Sequence, residues 1–332
     1  TSVTRLEQFA ACPFRFFVHS GLRAEERQLL EADVRQTGSF QHEVLARFHA
    51  QIAEEGRRWR DLTPADARER VGQIAEAVAR EFAHGLFQTN ARDRFAARAL
   101  SRSLQDFVEV MIEWMRTSYG LDPVCAELVF GGVDSELPAW EIDLADGQRL
   151  MLQGKIDRID LARTEERADA WCVVVDYKSS ARKVDAALME NGIQIQLPAY
   201  MAALRALNRQ RPLFGFTRLA PAGVFYVNLR GGWKGLANRT EAAVGTEAAR
   251  RAPYVHRGRF DGTALRVLDR LWDQPEISGQ FLYSPGGKPS KRHHDPLPAA
   301  EFAALLDRVE HTIRGIGRQI FAGVARVDPY AK

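Results

Sequence analysis

An acid and a base stand two positions apart at the end of an apolar run, Val173 to Lys178. Because side chains alternate between the two faces of a strand, Asp176 and Lys178 are predicted to share one face at a sheet edge. A carboxylate there can hold a hard cation such as Mg²⁺, and a neighbouring ammonium can polarise a water or offset charge on phosphorus. The same pair would also fit an ordinary strand-end salt bridge.

A second acid, Asp157, ends the preceding strand of a predicted hairpin. If the two strands pair, Asp157 lies across from Asp176. Two carboxylates that meet in this way repel each other unless a cation or Lys178 offsets their charge. Asp160 and Arg158 are predicted to form a local structural pair in the turn.

A histidine on an early helix could complete a set of metal ligands. His42 is out of phase with the apolar stripe of its predicted helix, which is made of Phe40, Val44, Phe48 and Ile52. It could therefore supply an imidazole nitrogen beside the two carboxylates. A surface or capping histidine would produce the same pattern.

Gln196 and Tyr200 are four residues apart, so they project from one face of a predicted helix. Pro198 is tolerated only in the first helical turn, which places the pair at a helix N-terminus. Backbone N–H groups at such an end favour a phosphate. A partly buried tyrosine beside an amide is the alternative.

The elements that must position these residues follow from periodicity and turn signals. Helices are predicted at about 4–20, 38–55, from Thr63-Pro64 onward, 92–118, 196–208, 262–272 and 298–322. Short segments rich in β-branched residues predict strands at 123–132, 139–145, 149–160, 170–178 and 223–229, the first four as an antiparallel meander. The predicted class is α/β, a mixed sheet between helical layers.

Composition sets wide limits. The chain has 332 residues, 45% of them hydrophobic, which is enough for a substantial core. Lys and Arg number 46 against 43 Asp and Glu, so a net charge of +3 permits an anionic partner without demanding one. No run approaches the roughly 20 apolar residues of a membrane helix. Three cysteines suggest no disulfide framework, and we expect a cytoplasmic location.

The polar start lacks both a signal peptide and an initiating Met, so processing or excision from a longer polypeptide would explain it. Two basic segments with interleaved aromatic residues could follow a phosphate backbone, or could be solvated loops. The candidate DNA contacts in them are Lys234, Arg257, Arg259, Lys288, Lys291 and Arg292.

The ordered set of motifs resembles the PD-(D/E)XK nuclease superfamily, most closely its RecB-type branch and the nuclease domain of AddB helicase–nuclease subunits. The motifs are 2–6 with 12–17, 38–42, 154–160, 176–178 and 196–200. The resemblance implies a restriction-endonuclease-like core with a helical N-terminal insertion. We expect one domain over 1–332, with a mainly helical part (1–120), the sheet core (121–230), and basic loops with C-terminal helices (231–332).

The resemblance also implies roles for the residues. His42, Asp157 and Asp176 would bind Mg²⁺ or Mn²⁺, with the backbone carbonyl of Tyr177 as a further ligand. Lys178 would position and activate the attacking water. Two further expectations are that Gln196 and Tyr200 hold the DNA backbone near the metal and that Glu127 is an accessory acid.

Relatives of this kind often hold an iron–sulfur cluster with one early and three late cysteines. Cys12 matches the first position, but no cysteine follows Cys172, so no cluster is expected in this chain. Gly287-Lys288 is followed by Pro289 and lacks the first glycine of a P-loop, so ATP hydrolysis is not expected either. The resemblance implies a helicase subunit or helicase region as partner.

The leading hypothesis is a Mg²⁺- or Mn²⁺-dependent deoxyribonuclease, expected to be an exonuclease, acting on single-stranded DNA or duplex ends in repair or recombination. The alternatives are a catalytically silent nuclease fold that binds DNA or docks a partner, and another metal-dependent hydrolase of small phosphates. All three depend on Asp157 and Asp176 lying on the same side of the sheet.

Overall fold

Long helices make up the first third of the chain. The computed structural model describes residues 1–24, 34–231, 247–284 and 294–330, apart from positions 134, 146, 167 and 181. Its α-helices are α1 (Val3–Ala11), α2 (Pro13–Phe16), α3 (Val34–Glu54), α4 (Pro64–Glu81), α5 (Ala91–Thr117), α6 (Ala186–Glu190), α7 (Gln196–Gln210), α8 (Glu247–Arg251), α9 (Leu265–Leu268), α10 (Pro275–Ser278) and α11 (Ala299–Phe321). Among these helices, none combines the length and apolar character needed to cross a bilayer.

Strands fill the middle of the chain and form two sheets. They are β1 (Asp122–Phe130), β2 (Trp140–Asp143), β3 (Arg149–Leu152), β4 (Gly154–Arg163), β5 (Asp169–Lys178), β6 (Arg218–Asn228), β7 (Arg257–Asp261) and β8 (Pro296–Leu297). The main sheet has the order β1-β4-β5-β6-β7-β8, and β2 pairs with β3 alone. The β5–β6 and β7–β8 pairs are parallel and the others antiparallel. The predicted α/β class with a mixed sheet is confirmed.

The predicted antiparallel meander is wrong in its pairing. The single strand expected over 149–160 is two strands, β3 and β4, separated at Gln153. Gln153 bridges to Ser2, and its N–H donates to the carbonyl of Thr1 at 2.8 Å, so the N-terminal segment breaks the strand there. Consequently β1 pairs with β4, and β2 and β3 form a separate hairpin.

Two other predicted helices are interrupted. The helix expected at 4–20 divides at Cys12, and Pro13 opens α2 because proline is tolerated at a first helical position. The helix expected at 262–272 is reduced to a 3₁₀ turn and α9. It ends at Asp269, whose carboxylate is buried and accepts hydrogen bonds from the Leu271 N–H at 2.9 Å and the Tyr283 hydroxyl at 2.8 Å.

The central sheet separates two hydrophobic cores. On β5, Val173 and Val175 belong to the core that α3, α4 and α5 complete, whereas Cys172 and Val174 belong to the core that α1, α7 and α11 complete. All four side chains are fully buried. A strand covered on both faces must be apolar at successive positions, which explains the unbroken run before Asp176.

The cap of α4 and the apolar stripe of α3 agree with the sequence, although α3 begins at Val34, before the predicted start near residue 38. Thr63 caps α4, because its hydroxyl accepts from the N–H of Asp66 at 3.1 Å. The stripe along α3, namely Phe40, Val44, Phe48 and Ile52, is buried against α4 and β1. This packing holds α3 beside the sheet.

Arg158 and Asp160 form a structural pair, as the sequence predicted. The predicted place of this pair, in a turn, is wrong. Both residues lie within β4 and are fully buried. Asp160 accepts from the guanidinium of Arg158 at 3.0 Å and from the hydroxyl of Tyr119 at 2.7 Å, and Arg158 also donates to the hydroxyl of Tyr177 at 3.0 Å. The pair thus connects β4 to β5 and to the segment that follows α5.

Removing one partner of this pair leaves the other charge buried and unpaired. We expect Asp160→Ala to lower the free energy of unfolding by about 3–5 kcal/mol, measured by urea denaturation. The matched control is Asp143→Ala, because the Asp143 side chain is 89% exposed. That variant should stay within about 0.5 kcal/mol of the parent. Equal losses in both variants would contradict the assignment.

Candidate active site

Strand register sets three acids in one line across the sheet. In the β1–β4 ladder, the pairs on either side of Glu127 and Asp157 set these two residues opposite each other. Continuing the β4–β5 register by one residue sets Asp157 opposite Asp176. The parallel β5–β6 ladder extends the line to Tyr226. Directly opposed residues of an antiparallel pair share a face of the sheet, so the acids are neighbours.

The imidazole of His42 reaches this line from α3. Its Nδ1 lies 3.0 Å from Glu127 Oε1 and 3.4 Å from Asp157 Oδ1. One ligand atom from each of these three residues lies within 4.8 Å of the others. An imidazole with two carboxylates is a donor set that suits a divalent cation, so the residues fit the metal that the sequence predicts. Glu127, expected to be an accessory acid, belongs to this group, whereas the predicted ligand Asp176 is not a member of it among the described residues.

Burial and the short distances to neighbouring acids shift the pKa values of Asp176 and His42. Burial and the neighbouring Asp157 carboxylate raise the pKa of Asp176 to about 7, although Lys178 acts in the opposite direction. Burial alone would lower the pKa of His42, but hydrogen bonds to Asp157 and Glu127 raise it to about 10. In the absence of a metal, a protonated His42 therefore offsets part of the negative charge.

Glu127 has a backbone conformation that its strand does not require. Its φ is +54°, in the left-handed region that non-glycine residues seldom adopt. Such strain persists only where surrounding contacts enforce it, and it is frequent at functional sites. The contacts are an ion pair with Lys155 and the hydrogen bond to His42.

The backbone of β5 orients Asp157. Its Oδ2 accepts from the Tyr177 N–H at 2.7 Å, while its Oδ1 faces His42. The ring of Tyr177 lies on the other side of the strand, edge-on to the His42 ring with 5.9 Å between centroids. The carbonyl of Tyr177 as a metal ligand stays a prediction.

Lys178 connects Asp176 to α7. Its ammonium forms an ion pair with the Asp176 carboxylate and donates to Gln196 Oε1 at 3.3 Å. Gln196 in turn donates from Nε2 to the Tyr200 hydroxyl at 3.4 Å. Gly154 leaves space for the Tyr200 ring, because a Cβ at this position would lie 2.8 Å from it. The structure thus brings all four residues together.

A carboxylate occupies the helix N-terminus at which the sequence predicts a phosphate. Glu7, on α1, accepts from the backbone N–H groups of Ile195 and Gln196, both at 2.8 Å. These are the donors that a phosphate would use, so that expectation is wrong. Sequence reasoning missed Glu7 because its partners lie 188 and 189 residues away. Its one local signal is an acid beside the buried Leu6 of an amphipathic helix.

Of the predicted DNA contacts, the two that the structure describes do not join this cluster. Arg257 and Arg259 lie on β7, and Arg259 is paired with Asp295 at 3.1 Å and is 16% exposed. This ion pair offsets the charge that a phosphate contact would need. The other candidates lie outside the described residues, and they are Lys234, Lys288, Lys291 and Arg292.

Comparison with known proteins supports the motif-based resemblance. The family model of the PD-(D/E)XK nuclease superfamily matches residues 1–332. The chain is 31% identical to an ATP-dependent helicase/deoxyribonuclease subunit of Moorella thermoacetica, over 100% of this chain and 28% of that protein. The subunits of the same name from Symbiobacterium thermophilum and Alkaliphilus metalliredigens are 30% and 26% identical, over 99% and 100% of this chain and 28% of each relative. The chain thus spans a little over a quarter of these relatives.

The cluster of His42, Glu127 and Asp157 should bind a divalent cation. We expect His42→Ala and Glu127→Gln each to weaken Mn²⁺ binding by about tenfold or more, measured by isothermal titration calorimetry. Glu43→Gln is the matched control, since Glu43 is the next residue of α3 and pairs with Arg47 at 2.7 Å. A control variant that loses as much affinity as the other two would exclude the site.

Glu7 should act as a side-chain cap for α7. Glu7→Ala removes the acceptor of two backbone N–H groups, and we expect it to lower the free energy of unfolding by about 0.5–2 kcal/mol. Glu7→Gln keeps an amide oxygen in the same place and should lose less. Urea denaturation of both variants measures the difference. If Gln destabilises as much as Ala, the hydrogen bonds are not what Glu7 contributes.

Proposed function

The chain belongs to the PD-(D/E)XK nuclease superfamily, and from this premise we propose that it hydrolyses phosphodiester bonds of DNA with the help of a divalent cation. The observation that carries the proposal is the placement of Asp157 and Asp176 on adjacent strands, with the Lys178 ammonium on the Asp176 carboxylate. Two carboxylates buried side by side destabilise the folded state unless a bound cation offsets their charge.

His42, Glu127, Asp157 and Asp176 would hold the cation, either Mg²⁺ or Mn²⁺. When bound, a divalent cation offsets charge on the phosphate and lowers the pKa of water. The protein's part is to keep the ligands in place. The Tyr177 N–H orients Asp157 and α3 delivers His42, so the donors are arranged before a cation arrives.

Lys178 is the residue suited to orient the attacking water. Its ammonium has three N–H groups. One faces Asp176 and another faces Gln196 Oε1, which leaves a third for a water or a phosphate oxygen. Gln196 and Tyr200 act as positioning residues in this scheme, because their contacts restrict where the flexible Lys178 side chain can point.

The substrate and partner rest on the relatives. Their shared name describes a helicase/deoxyribonuclease subunit, which supports DNA as substrate and a helicase subunit or helicase region as partner. We also propose an exonuclease mode and a cytoplasmic location, which are expectations from the sequence that the relatives' name does not address. The domain layout expected from the sequence, one nuclease domain over 1–332, is part of this proposal.

Cleavage should depend on the acid and the base of β5. We expect Asp176→Ala and Lys178→Ala each to lower the rate of DNA cleavage by at least about a hundredfold, because each removes a group that acts at the reacting phosphate. The assay uses labelled single-stranded and duplex DNA with Mg²⁺ or Mn²⁺. The control is Asp169→Ala, at the opposite end of β5, where Asp169 pairs with Arg218 at 2.8 Å.

The alternatives have their own outcomes in this assay. DNA binding without cleavage in either metal would favour a silent nuclease fold. Hydrolysis of small phosphate esters without cleavage of DNA would favour another phosphate hydrolase. Parent activity that survives both substitutions would refute the proposed roles of Asp176 and Lys178.

A further inference from the structure

Tyr226 continues the line of Glu127, Asp157 and Asp176 across the sheet, and among the described residues its hydroxyl has no hydrogen-bond partner. Tyr226, on β6, is paired in register with Asp176 and is 3% exposed. Within the described part of the chain, its buried hydroxyl has no hydrogen-bond partner. A buried polar group without a hydrogen bond is destabilising, and native structures contain few of them. A missing ligand would explain it.

Two cations stand over the same aromatic ring. The Lys178 Nζ lies 5.6 Å from the ring centroid of Tyr226, and the guanidinium carbon of Arg182 lies 5.2 Å from it. Arg182 is exposed and follows β5 by four residues. A cation–π contact at an exposed site is weak compared with the conformational entropy that an arginine side chain loses on being ordered. The arrangement is explained better if the ring holds both cations toward an anionic ligand.

We propose that Arg182 and the Tyr226 hydroxyl form a subsite for one backbone phosphate of the DNA strand, next to the phosphate that is cut, while the Lys178 ammonium beside the same ring faces the phosphate that is cut. This inference rests on the proposed function and names a contact of that site. The guanidinium and the hydroxyl both donate hydrogen bonds, and a guanidinium fork matches two phosphate oxygens. Two carboxylates oppose an anion here: Asp176 is ion-paired with Lys178, and both hydrogen bonds of Glu7 come from the N-terminus of α7.

The position of the subsite indicates which phosphate it takes. The His42, Glu127 and Asp157 cluster lies on the β1–β4 side of Asp176, whereas Tyr226 lies on the β6 side. Neighbouring strands are about 4.8 Å apart, so the subsite begins one strand spacing beyond Asp176. A strand whose reacting phosphate lies at the acids would therefore bring an adjacent phosphate over β6.

The test measures DNA binding separately from cleavage. Fluorescence anisotropy with a labelled single-stranded oligodeoxynucleotide, in buffer without divalent metal, compares the parent, Arg182→Ala and Tyr226→Phe. The control is Arg209→Ala, because Arg209 is exposed and lies thirteen residues along α7 from Gln196, about 20 Å away. Thermal unfolding of each variant is measured alongside.

We expect Arg182→Ala to weaken binding about tenfold and to reduce the slope of log K against log salt by about 0.7, the value for one lost contact with a single strand. Tyr226→Phe should weaken binding about threefold to tenfold. It should not lower the melting temperature, because its hydroxyl makes no hydrogen bond that folding would lose. Arg209→Ala should leave binding unchanged.

Other outcomes overturn the subsite. A Tyr226→Phe variant that melts lower but binds DNA as the parent does would make the hydroxyl structural. An Arg182→Ala variant that binds DNA as well as Arg209→Ala would show that the guanidinium does not contact DNA. A parent protein that binds no DNA would refute the whole subsite. The proposed nuclease function fails differently, because a parent that binds DNA through these residues but never cuts it would keep the subsite and lose the activity.

Discussion

Repulsion between carboxylates is the constraint on which this structure depends. Glu127, Asp157 and Asp176 lie side by side across three strands, and Asp157 and Asp176 are both buried. Burial makes each negative charge more costly and strengthens the repulsion between neighbours. The fold offsets this cost with a histidine at one end of the line and a lysine at the other. These cations, His42 and Lys178, contact the acids directly.

Each offsetting group is supplied by an element that packing holds in place. The buried stripe of α3 presses that helix against β1, which brings His42 to Glu127 and Asp157. On the other side, α7 brings Gln196 to Lys178, and α1 caps α7 through Glu7. The two cores on opposite faces of the sheet are therefore what keep the charges at contact distance. A substitution in either core that shifts α3 or α7 would therefore also shift the residues that these helices bring to the site.

Much of the site could be predicted because strand and helix periodicity are local. The period of two places Asp176 and Lys178 on one face, and the four-residue spacing places Gln196 and Tyr200 together. The errors arose where distant segments intervene. The N-terminal segment breaks a strand at Gln153, and a carboxylate from α1 takes the helix end at which a phosphate was expected. The first contact leaves no pattern in the neighbouring residues, and the second leaves only an acid beside the buried Leu6, which does not identify its partner.

The sequence by itself determined the α/β class, the order of most elements and the residue types at the site, because hydrophobic periodicity and spacing depend on neighbours along the chain. Only the tertiary structure decided the partners. It put Glu127 into a left-handed conformation beside His42 and made Glu7 a helix cap. It also left the Tyr226 hydroxyl, beside two cations, without a hydrogen bond to any residue that the structure describes. Periodicity shows which face a side chain takes. What it meets there depends on register and on packing between segments far apart in the chain.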